Sequence, residues 1–131
     1  MKKLGILNSE ISSVISRLGH TDRIVICDAG LPIPDQVTRI DLAVVPGLPS
    51  FFDVLEAVLT EMQVERAIFA DELKTAQPAA LARLEGTLAG ADLSSVGHEE
   101  FKELTKEAKA IIRTGECTPY ANVILQAGVT F

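Results

Sequence analysis

Short runs of β-branched residues alternate along this chain with segments whose apolar residues recur at helical spacing. Residues 23–27 (RIVIC) are the clearest run, because polar residues bound them on both sides, as is typical of a buried strand. Further strands are predicted at residues 39–45, 64–70, 110–112 and 122–125. Strands that alternate with helices form βαβ units, so the sequence predicts an α/β fold with a mainly parallel central sheet and helices on both faces.

The predicted helices have recognisable starts and ends. Residues 9–18 carry an apolar stripe, with Asn8 or Ser9 available as N-cap and Gly19 suited to the left-handed position after a helix. Further helices are predicted after a Ser50–Asp53 capping box, at residues 76–89 and at residues 98–108, while residues 90–97 carry no decisive pattern. No repeat or linker interrupts residues 1–131, which are therefore predicted to form a single domain.

Composition excludes several classes of function. The chain has 12 basic and 18 acidic residues, a net charge of −6 and no basic cluster, which argues against nucleic-acid binding. No stretch approaches the roughly 18 apolar residues of a membrane span, and the N-terminus lacks the apolar core of a signal peptide. The two cysteines, Cys27 and Cys117, make no disulfide framework and fit a reducing compartment. We therefore expect a cytoplasmic protein that handles a small molecule.

The common cofactor and metal motifs are missing from the sequence. It contains neither G-x-G-x-x-G nor a P-loop, so dinucleotide and phosphate binding lose their usual backbone cradles. It contains neither C-x-x-C nor H-E-x-x-H, and no G-x-S-x-G elbow for a serine hydrolase. We expect no metal and no organic cofactor.

Two polar residues flank the strand predicted at residues 23–27. His20 lies in the preceding loop, and histidine is the side chain best suited to exchange protons near neutral pH. A surface histidine without a function is the alternative. Asp28 ends the strand at the carboxyl edge, where sheets of this class bind ligands. Its carboxylate either faces a ligand or caps the following turn.

Further candidates lie in the last third of the chain. His98 and Lys102 are four residues apart on a predicted helix, so both point from one face, over a pocket or into solvent. Tyr120, the only tyrosine, lies with Asn122 in a polar turn before the last predicted strand. A phenol and an amide bind sugar hydroxyls well, although an ordinary surface loop explains the same residues. Spacing alone assigns no reaction.

Five segments of the chain match the pattern of a single protein family. They are KKLGILNSEISSVISRLGHTD (2–22), CDAGLPIP (27–34), EMQVERAIFADE (61–72), HEEFK (98–102) and IIRTGECTPYANVILQAGVTF (111–131). With these segments the chain resembles the family of ribose pyranases and fucose mutarotases. The resemblance implies a three-layer αβα fold and an isomerase that interconverts the β-pyranose and β-furanose forms of D-ribose by acid–base ring opening. Residues 76–97 lie outside it.

The resemblance also implies roles for individual residues. His20, in the run Gly-His-Thr-Asp, is implied to be the catalytic proton donor. The residues implied to hold the sugar are Asp28, His98, Lys102, Tyr120 and Asn122. One departure is Gly97, where the pattern leads us to expect Ser or Thr as the cap of the helix that begins at His98.

Two alternatives remain open, an L-fucose mutarotase of the same family and a non-catalytic sugar-binding subunit of a transporter. The resemblance further implies a homo-oligomer of five-subunit rings, two of which stack as a decamer. The mean hydropathy is +0.27 and the segment 123–131 is almost uncharged, which favours an apolar surface covered by a neighbouring subunit. The alternative is that this segment is an interior strand of its own subunit. We expect one subunit to supply His20 and Asp28 while its neighbour closes the pocket.

Overall fold

A six-stranded sheet organises the computed structural model, which describes residues 1–131. Its strands are β1 (Arg23–Cys27), β2 (Thr38–Asp41), β3 (Val64–Ala70), β4 (Asp92–Val96), β5 (Ala110–Arg113) and β6 (Val123–Ala127). Their spatial order is β2-β5-β1-β6-β3-β4. Every neighbouring pair is parallel except those that include β6, which runs antiparallel to both β1 and β3. The predicted mainly parallel sheet is confirmed, with one reversed strand near its middle.

Helices cover both faces of the sheet. They are α1 (Ser9–Arg17), α2 (Phe51–Leu59), α3 (Leu73–Ala76), α4 (Pro78–Thr87) and α5 (His98–Leu104), which continues as a 3₁₀ turn over Thr105–Glu107. Alternate residues of a strand point to opposite faces. Accordingly, Ile24 and Ile26 of β1 belong to the larger core beneath α1 and α2, whereas Val25 and Cys27 join the smaller core beneath α5. The three-layer arrangement is confirmed. No helix combines the length and the apolar character that crossing a membrane requires.

Two helix starts follow their predicted caps, and one helix end does not follow its prediction. The side chain of Asn8 accepts a hydrogen bond from the backbone of Ile11 at 2.9 Å, and Ser50 Oγ accepts one from Asp53 at 3.1 Å. The prediction of a left-handed Gly19 after α1 is wrong. The helix ends through an extended Leu18, and the left-handed residue is Thr21, whose φ is 71°.

Two predicted boundaries were also wrong, and one strand was not predicted at all. The helix expected over residues 76–89 is divided at Gln77, because a residue before proline is driven out of the helical region and Pro78 then starts α4. The strand expected over residues 39–45 ends at Asp41. Residues 90–97, for which the sequence predicts no element, contain the edge strand β4, whose polar sequence carries no apolar alternation.

The last strand lies inside the sheet and not at an exposed edge. All of β6 is buried between β1 and β3, so the alternative of an interior strand is correct for this part of the tail. The exposed apolar end is shorter than expected: Val129 is 43% exposed, and the terminal Phe131 is fully exposed.

Candidate active site

An open pocket of about 500 Å³ lies at the carboxyl ends of β1, β4 and β5. The turn 28–32 after β1 forms one wall, the loop 116–120 after β5 forms another, and His98 at the start of α5 completes it. Ligands of parallel α/β sheets bind at this edge, because the loops that leave the strands converge there. The predicted residues Asp28, His98 and Tyr120 therefore meet in one pocket.

Asp28 and Asn122 hold each other in a reciprocal pair. The backbone N–H of Asp28 donates to Asn122 Oδ1 at 2.8 Å, and Asn122 Nδ2 donates to Asp28 Oδ2 at 3.0 Å. The other carboxylate oxygen accepts the N–H of Gly30 at 2.9 Å. Each oxygen keeps a free acceptor position. Asn122 is 1% exposed and lies behind Asp28, so its side chain orients the carboxylate and does not line the pocket.

His98 and Tyr120 pack edge to face across the pocket, with ring centroids 5.1 Å apart and planes at 85°. His98 Nδ1 is buried and has no hydrogen-bond partner in the protein. Tyr120 has a φ of 65°, which is unusual for a bulky residue and aims its ring at His98. The N–H of Asn122 donates to the carbonyl of Tyr120 at 2.8 Å and closes this turn.

A carboxylate from another loop caps α5 where Gly97 supplies no side chain. Both oxygens of Glu72 accept the backbone N–H of His98, at 3.2 and 3.0 Å. The adjacent Asp71 binds the same junction, since its Oδ1 accepts from Ser95 Oγ at 2.6 Å and its N–H donates to Val96 at 2.7 Å. The hydrogen bond from Ser95 and, next, the one from Lys74 lower the pKa of Asp71. The absent cap at Gly97 therefore leaves His98 well positioned.

Glu116, which the sequence does not single out, holds the loop 116–120. Its Oε1 accepts the first N–H of α2, at Phe51, over 3.0 Å, and its Oε2 accepts from Thr118 Oγ1 at 3.0 Å. A carboxylate at a helix N-terminus is favoured by the helix dipole. Arg113 supports the opposite wall, because its Nε donates to the carbonyl of Ala29 at 3.1 Å.

His20 lies at the other end of β1. It precedes the strand, whereas Asp28 follows it, and a strand of five residues spans about 17 Å. The imidazole lines a cleft of about 410 Å³ that is bounded by the tail 127–131, and its Nε2 lies 2.9 Å from Glu65 Oε2. The expectation that one subunit supplies both His20 and Asp28 to a single pocket is wrong, because the fold holds them at opposite edges of the sheet.

Lys102 also lies outside the pocket lining. It is one helical turn beyond His98, and its Nζ binds Glu99 Oε1 at 2.7 Å. This hydrogen bond is the main cause of the lowered pKa of Glu99. Of the six residues selected from the sequence, three line the pocket, Asn122 supports one of them, and Lys102 and His20 bind carboxylates elsewhere.

Two further observations concern the reactive groups. No three His, Cys, Asp or Glu side chains converge as a metal-binding group. Cys27 is buried directly before Asp28, and burial, with the nearby Asp28 charge, raises its thiol pKa to about 12. The residues of the pocket are thus suited to hydrogen bonding and proton transfer.

Comparison with known proteins agrees with this arrangement. Residues 1–130 match the model of the RbsD / FucU transport protein family. The D-ribose pyranase of Bacillus cytotoxicus is 58% identical over the full length of both chains. The structure of Bacillus subtilis RbsD complexed with D-ribose superposes with a TM-score of 0.97, at 54% identity over all of both chains. A fucose mutarotase from Streptococcus pneumoniae, in complex with L-fucose, is 25% identical over 95% of each chain, with a TM-score of 0.74. The chain therefore belongs to the RbsD / FucU transport protein family.

Proposed function

We propose that the protein is a D-ribose pyranase, which interconverts the β-pyranose and β-furanose forms of D-ribose. The observation that carries this proposal is the full-length similarity, at 53% to 58% identity, to proteins named D-ribose pyranase. The fucose mutarotase is far more distant, at 25% identity. Ribose is therefore the favoured substrate over L-fucose.

The pocket supplies the hydrogen-bond set that such a sugar requires. Asp28 keeps two free acceptor positions, and the imidazole of His98 and the phenol of Tyr120 stand on the opposite wall. Asn122 acts through Asp28, which it orients. We assign Lys102 to the outer part of the site, because it shares the face of α5 that begins at His98.

The reaction needs proton transfers, the cleavage of one C–O bond and the formation of another. In the pyranose, His20 gives a proton to the ring oxygen as the bond from that oxygen to C1 breaks and its electron pair moves to the oxygen. The anomeric hydroxyl loses its proton to the Asp28 carboxylate, which leaves an aldehyde. The O4 hydroxyl then attacks C1 and returns a proton to His20, while the former carbonyl oxygen regains one from Asp28. General acid–base catalysis of this kind contributes about 10²–10⁴-fold in rate.

The proposed chemistry requires two subunits. His20 and Asp28 lie at opposite ends of β1, so His20 of one subunit must enter the pocket of the next. Exposed apolar residues lie beside each half-site, Val129 and Phe131 near His20, and Val44 and Val45 on the hairpin next to Ala29. Contacts that join one end of a subunit to the other end of its neighbour generate rings, which agrees with a five-subunit ring and its stacked decamer.

We further propose that the enzyme works in the cytoplasm without metal or cofactor. Both cysteines are free thiols, which fits a reducing compartment. Ring opening and closure change no oxidation state, so protein side chains suffice for the chemistry.

Magnetisation-exchange NMR tests the proposed function directly. With enzyme, we expect accelerated exchange between the pyranose and furanose signals of D-ribose, and much less effect on the anomers of L-fucose. Faster exchange for L-fucose alone would favour a mutarotase. Binding of D-ribose without any acceleration would identify a non-catalytic sugar-binding protein.

A further inference from the structure

Glu65 connects His20 to the interior of the sheet. One carboxylate oxygen, Oε2, lies 2.9 Å from His20 Nε2, and the other, Oε1, accepts from Gln126 Nε2 at 2.8 Å. Gln126 is 9% exposed, and its own Oε1 accepts from Arg23 Nε at 3.0 Å. Both oxygens of Glu65 therefore have fixed and different partners.

The backbone around Glu65 is shaped for this contact. The pairing of β3 with β6 shifts register between Val64 and Arg66, and such a bulge re-aims the side chain of the extra residue. Gly128 lies so close that an added Cβ would stand 2.9 Å from the Cβ of Glu65, so only glycine fits there without a shift. The missing side chain at Gly128 thus leaves room for the side chain of Glu65.

The loop that carries His20 is fastened to the same end of β6. Thr21 donates its N–H to the carbonyl of Ala127 at 2.9 Å, and Ala127 donates to the carbonyl of Asp22 at 2.8 Å. The N–H of Gly19 donates to Asp22 Oδ2 at 2.9 Å. Backbone hydrogen bonds on both sides of His20 therefore fix where its imidazole meets Glu65.

An ionised carboxylate only accepts hydrogen bonds, so His20 Nε2 must carry the proton that lies between them. The hydrogen bonds from Gln126 and from His20 hold the pKa of Glu65 below its usual range, which keeps it ionised at neutral pH. The neutral imidazole then has its lone pair on Nδ1. We infer that Glu65 is a positioning residue that fixes the Nε2–H tautomer of His20 and makes Nδ1 the atom that exchanges protons with the sugar.

This inference rests on the proposed function for its catalytic part, while the tautomer is a property of the protein alone. In the proposed reaction, Nδ1–H of the imidazolium gives its proton to the ring oxygen, and Nδ1 takes the proton back when O4 closes on C1. Glu65 stays ionised throughout and stabilises the imidazolium.

Glu65→Gln tests this inference because it preserves the shape of the side chain and changes which nitrogen of His20 carries the proton. Gln126 already donates to the position of Oε1, so the new amide must place its oxygen there and turn its NH₂ toward His20. His20 Nε2 is then forced to accept, and the proton moves to Nδ1. We expect kcat to fall about 100-fold or more, with KM changed less than about twofold. Glu56→Gln, at an exposed carboxylate of α2 that pairs with Arg83, is the matched control and should keep full activity.

The tautomer is read by ¹⁵N NMR of histidine-labelled enzyme, in which His20 is one of two histidines and is assigned through His20→Ala. We expect a protonated Nε2 and an unprotonated Nδ1 in the unaltered enzyme, and the reverse in Glu65→Gln. An Nδ1–H tautomer in the unaltered enzyme, or undiminished kcat in Glu65→Gln, would overturn the inference. If the unaltered enzyme exchanged no ribose yet showed the Nε2–H tautomer that Glu65→Gln reverses, the proposed function would fail and the positioning by Glu65 would stand.

Discussion

Glu72 caps the helix that begins at His98 with both oxygens of its carboxylate, although the two residues lie 26 positions apart in the chain. Gly97, at the N-cap position, has extended backbone angles that suit a serine, and apart from Gly97 and its two chain neighbours no residue lies within 4 Å of where a Cβ would stand. The cap of α5 is thus supplied by tertiary structure at a position where a local residue would also fit.

A serine at position 97 should therefore be able to replace Glu72 as the cap of α5. Glu72→Ala should destabilise the fold by about 1 kcal/mol and raise the KM for ribose, because α5 loses the acceptor that positions His98. Adding Gly97→Ser to that variant should recover most of both effects, measured by urea unfolding and by exchange kinetics. Failure of the serine to restore stability would show that Glu72 acts in some other way.

Asn122→Ala should lower the stability of the protein and raise the KM for ribose, although its side chain does not line the pocket. The change removes the acceptor of the Asp28 backbone N–H and the donor to its carboxylate, so we expect a loss of about 1–3 kcal/mol in unfolding free energy. The KM for ribose should rise, because Asp28 is free to turn. A variant of unchanged stability and KM would contradict the orienting role of Asn122.

His20→Ala should abolish pyranose–furanose exchange and leave the fold intact. The side chain is 53% exposed and packs in neither core, so its loss removes a proton carrier without opening a cavity. Circular dichroism and sedimentation should match those of the unaltered protein. Near-normal exchange rates would return His20 to the role of an ordinary surface histidine.

Two inactive variants should restore activity when mixed. If each site takes His20 from one subunit and Asp28 from the next, random exchange of His20→Ala with Asp28→Asn subunits gives about one quarter of sites with both residues. Exchange rates should then reach about that fraction of the unaltered value. No recovery after verified subunit mixing, or a fully active monomer, would exclude a shared site.

The stability of the protein should fall at alkaline pH because of Cys27. The unfolded thiol ionises near its ordinary pKa of 9.0, whereas burial holds the folded pKa at about 12. Below the unfolded pKa the buried neutral thiol makes its full contribution to the unfolding free energy. As the pH rises from that pKa toward the folded pKa, the unfolding free energy falls by up to about 4 kcal/mol. The loss should shrink in Cys27→Ala and persist in Cys117→Ser, where an exposed thiol is removed. If the unfolding free energy fell equally steeply with pH in all three proteins, this prediction would be refuted.

Features governed by neighbouring residues could be predicted from the sequence. The caps at Asn8 and Ser50 and the strand at residues 23–27 depend on contacts within a few positions, and all three are confirmed. The reversed direction of β6 depends on pairing with β1 and β3, which no local pattern encodes. The edge strand β4 could not be predicted, because its mostly polar side chains show no alternation of apolar and polar residues.

The same distinction applies to the site. Asp28 could be selected because it follows a predicted strand at the carboxyl edge of the sheet, and His98 because it lies four residues before Lys102 on a predicted helix. Glu65, Glu72 and Glu116 could not be selected, since an isolated glutamate gives no sign of the partner it will meet. Their partners lie 45, 26 and 65 positions away.

In the proposed ring of subunits, the antiparallel pair formed by β1 and β6 sets the spacing of successive sites. Asp28 and Asn122 meet at one end of this pair, and His20 is fastened to Ala127 at the other. The two strands hold these two ends a fixed distance apart, because each is five residues long and they pair with each other at the centre of the sheet. Insertion of a residue into either strand would increase this distance, so that, in the shared site proposed above, His20 would no longer reach the sugar in the adjoining pocket even where every proposed catalytic side chain was kept.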